Sequence, residues 1–202
     1  MRTSRVLLVL TLLGSALLAL SACGQPAPAA LAPPSVELDH VEVASYFPWP
    51  APLPTVGAGT PTPAPPPATR IPLVLAFVFN VTNPNAYLVT LKDFQFTSEL
   101  EAAPGEFFPV GNPFAHEDTS IPANTTNQLR VTLVLDSLVT PGNLAVTSGF
   151  RLQELGLKAA DVVKSWWTTV GDRAFAIKVT GGSAEFSSTG GSTIVAFEGQ
   201  YK

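Results

Sequence analysis

Apolar residues alternate with polar or small ones through much of this chain, most cleanly from Leu73 to Leu91, LVLAFVFNVTNPNAYLVTL. Leu73, Leu75, Phe77, Phe79 and Val81 share one parity, while Ala76, Asn80 and Thr82 hold the other. A period of two predicts a β-strand with one strongly buried face, because successive side chains leave opposite sides of the backbone. Tyr87, Val89 and Leu91 resume the alternation. Between the two runs, Pro84 fixes its φ at about −65° and pushes Asn83 toward extended geometry, and Asn85 tolerates the left-handed region. The Asn83-Pro84-Asn85 step is therefore expected to be a turn, the tip of a hairpin between two core strands.

The same alternation predicts further strands. Ser35 to Phe47 places Val36 and Leu38 in one phase and Val41 and Val43 in the other, so a bulge is expected at Asp39-His40. Phe94, Phe96, Ser98 and Leu100 alternate after Lys92-Asp93, and Leu129, Val131, Leu133 and Leu135 follow a turn at Ile121-Pro122-Ala123-Asn124. Ser137 to Gly156 is less regular and reads as turns with a short helix around Pro141-Gly142. From Leu157 to Val170 the period changes: Val163, Trp166, Trp167 and Val170 fall at i, i+3, i+4 and i+7, a helical stripe. Phe175-Ile177-Val179 and Ala184-Phe186 read as strands joined by a two-residue turn at Gly181-Gly182, and a last strand follows Gly190-Gly191. Seven to nine strands, roughly, with one helix in the C-terminal half make an all-β sandwich.

Composition adds the layout around that body. Of 202 residues 46% are apolar and 13% charged, about half the ~25% charge of an ordinary domain, so the chain folds rather than stays disordered. Of the 20 prolines, 14 lie between Pro26 and Pro72, most of them in two stretches. Gln25 to Pro34 is expected to be an extended tether; about ten residues at ~3.1 Å each reach roughly 30 Å. Pro48 to Pro67 excludes a central strand and reads as a surface insertion, bounded at 48–70, within one domain spanning 35–202. The net charge of −4, without a basic cluster, argues against a nucleic-acid partner.

Residues 1–22 have the layout of a secretory signal: Arg2 and Arg5, an apolar run from Val6 to Leu20, then small residues. Leu20-Ser21-Ala22-Cys23 resembles a bacterial lipobox, in which the cysteine after the cleavage site is lipid-modified. Cys23 is the chain's only cysteine. The resemblance implies two or three acyl chains on it and a partner in the membrane. One myristoyl chain anchors only marginally, whereas two or more hold a protein durably. The modification also removes the thiol from disulfide, catalytic or metal chemistry.

Several of the strand motifs belong together. Pro34-x-Val36, then LAFVFNVTNPNAY, paired aromatics, IPANTTNQLRVTLVLD and a closing hairpin resemble the water stress and hypersensitive response (WHy) domain, also called late embryogenesis abundant type 2. Asn83, Pro84 and Asn85 carry its best-known turn, and Ile121, Pro122 and Ala123 its second mark. The resemblance implies a fibronectin type III-like (immunoglobulin-like) sandwich, an association with desiccation and cold, and no catalytic residues.

Candidate chemistry is sparse. His116-Glu117-Asp118 reads as a solvated loop rather than a metal site, and His40 as an edge residue. The usual hydrolase, zinc and phosphate-loop patterns do not occur; no cofactor and no metal are expected. Trp166 and Trp167 are expected to pack, leaving Trp49, between Pro48 and Pro50, as the candidate contact residue. The expectation is a non-enzymatic, extracytoplasmic, lipid-anchored protein with a stress-protective or binding role. The alternative is a protein- or glycan-binding module of a cell-envelope assembly, and the oligomeric state is left open.

Overall fold

A computed structural model describes residues 30–49 and 70–202. Cys23, the leader, most of the tether and the proline-rich insertion beyond Trp49 lie outside the described residues. Among the described residues, nine strands and two helices follow in order: β1 (Ser35–Tyr46), β2 (Pro72–Asn83), β3 (Val89–Ala103), β4 (Glu106–Gly111), β5 (Phe114–Ala115), β6 (Thr119–Ile121), β7 (Thr125–Asp136), α1 (Val139–Glu154), α2 (Ala159–Thr169), β8 (Ile177–Ser188) and β9 (Gly191–Tyr201). All pairings are antiparallel.

The strands form a three-stranded sheet, β1-β2-β7, and a larger one ordered β4-β3-β8-β9. Along the outer edge of β3, β6 pairs with Val89–Leu91, β5 with Phe94 and Gln95, and β4 with the stretch from Ser98 to Ala103. The sheets meet through their apolar faces. Phe77 and Phe79 of β2 lie edge-on against Phe96 and Phe94 of β3, each pair at 5.0 Å between ring centroids, and Phe79 also meets Phe197 of β9 at 5.4 Å. Edge-to-face rings of this kind add about 0.5–1.5 kcal/mol per pair beyond their buried area. The alternation read from the sequence thus delivers both Phe77 and Phe79 to a fully buried interior.

Four local expectations are corrected. β2 and β3 belong to different sheets, so Asn83-Pro84-Asn85 carries the chain from one layer to the other rather than closing a hairpin. Gly181-Gly182 is not a turn: β8 runs through it as one strand, with a register shift against β9 between Val179 and Gly182. Gly181 takes φ +57°, and a Cβ on Gly182 would stand 2.5 Å from the Phe197 ring. The pair therefore makes a bulge that lets β8 pass under that ring.

The third correction is the irregular stretch, which folds as α1, sixteen residues long. Pro141 sits in its first turn, where a missing N–H costs nothing, and Asp136 Oδ1 accepts from the amides of Leu138 and Val139. There are accordingly two helices, not one. The last concerns Leu31, assigned to the tether but packed partly buried against the core. The bulge at Asp39 is where it was expected, with the β1 register shifting between Leu38 and His40.

Both helices, which come between β7 and β8 in the chain, pack on the body. α2 buries Val162, Val163, Trp166 and Trp167, and Trp166 Nε1 donates to the Glu101 carbonyl at 2.8 Å. α1 buries Leu144 and Leu152. Among the described residues no helix is long and apolar enough to cross a membrane.

Two substitutions test this packing. Gly182→Ala forces a methyl into Phe197 and is expected to cost about 1–3 kcal/mol. Ser98, wholly buried with an unpartnered Oγ, should become more stable as Ser98→Ala by about 1 kcal/mol. Urea midpoints at constant slope check both.

Candidate functional site

The polar group that organises this molecule lies at the crossover between the sheets. Asn83 is fully buried at the end of β2. Its Nδ2 donates to the carbonyls of Tyr87 (2.8 Å), Pro122 (3.0 Å) and Ile121 (3.1 Å), two hydrogens shared among three acceptors. Its Oδ1 accepts from both the backbone amide and the Nδ2 of Asn85, each at 2.9 Å. Asn85, also buried, donates from Nδ2 to the Ala32 carbonyl and accepts the Ala32 amide on Oδ1, both at 2.9 Å. Its own carbonyl accepts the amide of Asn124, which stands at φ +53°.

Two carboxamides therefore join four chain segments: the crossover, the β3 approach at Tyr87, the Ile121-Pro122 step and the residues before β1. Pro84 is exposed between them. It contributes its fixed φ and the extended geometry it imposes on Asn83. The polar atoms of both asparagines are engaged within the protein, so this junction is a structural lock and offers no open ligand-binding group.

A second polar group lies on the outer face of the three-stranded sheet. His40, at the β1 bulge, has Nδ1 2.7 Å from Asp39 Oδ2 and Nε2 3.2 Å from Glu42 Oε1. Asn80 of β2 donates to Asp39 Oδ1 at 3.1 Å, and Arg130 of β7 donates to Glu42 Oε2 at 2.8 and 3.2 Å. Acceptors at both ring nitrogens favour the imidazolium: the hydrogen bonds to Asp39 and then Glu42 raise the His40 pKa above its ordinary 6.5. Bonds from Arg130 and then His40 hold Glu42 below the usual carboxylate range. The Arg130–Glu42 pair spans the central strand, where Ala76 and Val78 point outward yet are buried. The charged lattice is a roof over apolar surface.

A cleft of about 290 Å³ opens between α2 and the β3–β4 turn, lined in part by Glu101, Pro104, Ser165, Trp166, Phe175 and Lys202. Glu101 is its natural acid–base candidate, but its oxygens accept the amides of Gly105 (2.8 Å) and Ala176 (2.9 Å), which hold its pKa low. Trp166 is 1% exposed and offers no open ring face for stacking.

Trp49 is half-buried, its ring 6.0 Å from Trp167 in an edge-on arrangement; the residue singled out as a contact point already contacts the core. His116 lies 2.8 Å from Asp93 and beside the exposed Phe114. The structure does not bring the two histidines into one site. Among the described residues there is no group of three or more His, Cys, Asp or Glu able to hold a metal. The reach of Asn83 and Asn85 to Ala32 and Pro122 was not visible in the sequence; two buried-parity asparagines flanking a proline were the only sign of it.

No family model matches this chain, and no curated protein matches it. Among solved structures it is similar to the X-ray structure of a Northeast Structural Genomics Consortium target, at 12% identity over 83% of this chain and 85% of that one, TM-score 0.39. It is also similar to the crystal structure of a protein from Archaeoglobus fulgidus, at 10% identity over 86% and 97%, TM-score 0.36.

Asn83→Leu strands three carbonyls and the Asn85 amide, and is expected to cost about 3 kcal/mol or more. Pro84→Ala should cost under about 1 kcal/mol, through the unfolded chain alone. Thermal and urea unfolding of the two variants distinguishes lock from turn residue.

The His40 lattice gives a pH signature. The raised His40 pKa contributes stability fully present below pH 6.5 and lost as pH rises through the folded value. The lowered Glu42 pKa contributes stability present above pH 4.5 and lost as pH falls through its folded value. His40→Gln should therefore flatten the alkaline decline of the urea midpoint and leave the Arg130-dependent acid limb in place.

Proposed function

We propose that this chain is a lipid-anchored, extracytoplasmic protein whose body is a WHy-type, fibronectin type III-like sandwich with a non-enzymatic protective or binding role. One observation carries the reading of the body: the residues on which the family resemblance rests, Asn83-Pro84-Asn85 and Ile121-Pro122, form one hydrogen-bonded junction. Motifs 38 residues apart in the chain thus have a joint physical reason to occur together. Strand order supports the fold type. Setting aside the helical segment between β7 and β8, β1-β2-β7 and β4-β3-β8-β9 divide as the A-B-E and C′-C-F-G sheets of a fibronectin-type sandwich.

The non-enzymatic part draws support from how the carboxylates are engaged. Glu101 holds two amides, Asp136 caps α1, Glu42 and Glu106 hold arginines, and Glu99 accepts the Thr180 hydroxyl. A general base needs a free lone pair directed at a substrate, and these are turned to the protein itself. Anchoring rests on the sequence around Cys23. The Ala32–Asn85 bonds fix where the proposed tether would meet the body.

Cys23→Ser is expected to abolish lipid incorporation and move the protein out of the membrane fraction, or leave it with its leader uncleaved. Unchanged labelling by radiolabelled palmitate would exclude the anchor. Protection is tested separately: a deletion strain should lose viability on drying or cold shock, and survival equal to its parent would leave the binding role.

A further inference from the structure

Among the described strands, β7 has the long, regular edge that no other strand pairs. It runs 12 residues, pairs with β2 alone and keeps one register from Thr125 to Asp136. β1, on the other side of that sheet, is bent by two register shifts. β9 also stands beside it, so close that a Cβ on Gly199 would lie 2.7 Å from Leu38. At the far edge of the larger sheet α1 packs on β4. In an antiparallel pair alternate residues turn their N–H and C=O away from the partner, so about half of the β7 backbone groups point out of the sheet with no ladder to join.

Two observations show that this edge lies open. Consecutive residues, Leu129 to Thr132, line one groove of about 190 Å³, with Phe114 and Glu117 among the residues across it. A pocket on either face of a strand takes alternate residues, so this groove follows the edge itself. Leu129 and Leu133 have the core-facing parity yet are half-buried, whereas Phe79 and Leu75, their partners on β2, are fully buried. The core-facing row of β7 lacks a neighbour on one side.

We propose that β7 pairs antiparallel with β7 of a second copy about a twofold axis at Leu133, joining two three-stranded sheets into one of six strands. A bare edge is satisfied by extended backbone, and charge selects which strand supplies it. The ionisable residues of β7 are Arg130 and Asp136, both on the outward parity that carries Thr132 and Val134. Antiparallel pairing centred on Leu133 sets Arg130 of each copy opposite Asp136 of the other, Thr132 opposite Val134, and Val131 opposite Leu135. Each charged group has an atom to give. Arg130 donates to Glu42 from Nε and Nη2, which leaves Nη1. Asp136 accepts the α1 amides on Oδ1, and its Oδ2 stands 3.8 Å from Arg70 Nε. A register shifted by two residues loses both ion pairs, and one shifted by a single residue opposes the two parities.

The overlap from Arg130 to Asp136 spans about 24 Å. It buries less than the ~1,200 Å² of a standard interface, which places the dimer in the micromolar range or weaker.

Sedimentation velocity of the full chain in mild detergent tests this, with two double variants at exposed positions. Thr132→Lys with Val134→Lys sets like charges opposite each other at two places in the proposed register. Thr132→Lys with Val134→Asp sets opposite charges there instead. The expected result is a monomer–dimer equilibrium whose midpoint moves at least tenfold to higher concentration in the Lys/Lys variant and does not weaken in the Lys/Asp variant. Thermal unfolding of dilute protein should be little changed in both, since Thr132 is exposed and Val134 is 63% exposed. Amide hydrogen exchange gives a second readout: residues 130–136 should exchange more slowly above the midpoint concentration than below it.

A chain monomeric at every concentration overturns the proposal, as does association that continues past two copies. A dimer that responds equally to both variants has another register or another surface, and overturns it too. Slow exchange along β7 in a chain that sediments as a monomer would mean that a strand other than a second β7 covers the edge.

Discussion

A chain that leaves one sheet of a sandwich to enter the other must cross an edge where the strand ladders end and the backbone runs out of partners. Buried carbonyls without donors there would cost about 1–3 kcal/mol each. The carboxamide of Asn83 supplies what the ladders cannot. It donates to the backbone on the far side of the crossing, at Tyr87, Ile121 and Pro122, and accepts from Asn85 on its own side. The rest of the interior depends on that crossing being held in register. Phe77 and Phe79 meet Phe94 and Phe96 only while β2 and β3 keep their relative parity, and a slip of one residue would turn either set to the opposite face. The aromatic cluster is part of a larger buried core, and the buried amides determine which burial occurs.

How legible this was follows from the physics of each signal. Period-two alternation is local, so β1, β2, β3 and β7 could be read from side-chain parity alone, including the slip at Asp39 where β1 bulges. The helical stripe of Val163, Trp166, Trp167 and Val170 was equally plain, and all four are buried. Sheet membership is not local. Nothing between Asn83 and Val89 distinguishes a hairpin from a crossover, because both need a proline-compatible bend. Gly181-Gly182 was ambiguous for a related reason: a glycine pair permits a turn or a bulge, and the ring of Phe197, fifteen residues later, decides between them.

α1 was hidden for a different reason. Its inner face is only Thr140, Leu144 and Leu152, too few for a stripe. Its outer face carries Val146 and Phe150, which contradict the pattern of a solvated helix. Pro141, Gly142 and Gly149 add three weak helix formers. The helix is held by packing and by its Asp136 cap rather than by propensity, as tertiary context often overrides weak local preference.

The distribution of charge links these features. With only 13% charged residues, the chain cannot cover every apolar strip with ionic side chains. It sets a few of them on the outer face of the three-stranded sheet, where His40, Glu42 and Arg130 span β2 over Ala76 and Val78. That placement follows from strand geometry. β2 is the middle strand, its outward residues are flanked on both sides, and long side chains from β1 and β7 reach across them while keeping their heads in water. A lone helix face has no flanking strands to lend such cover, so Val146 and Phe150 on the outward side of α1 stay exposed. The same scarcity of charge accounts for a closed roof on one surface and an open apolar patch on the other.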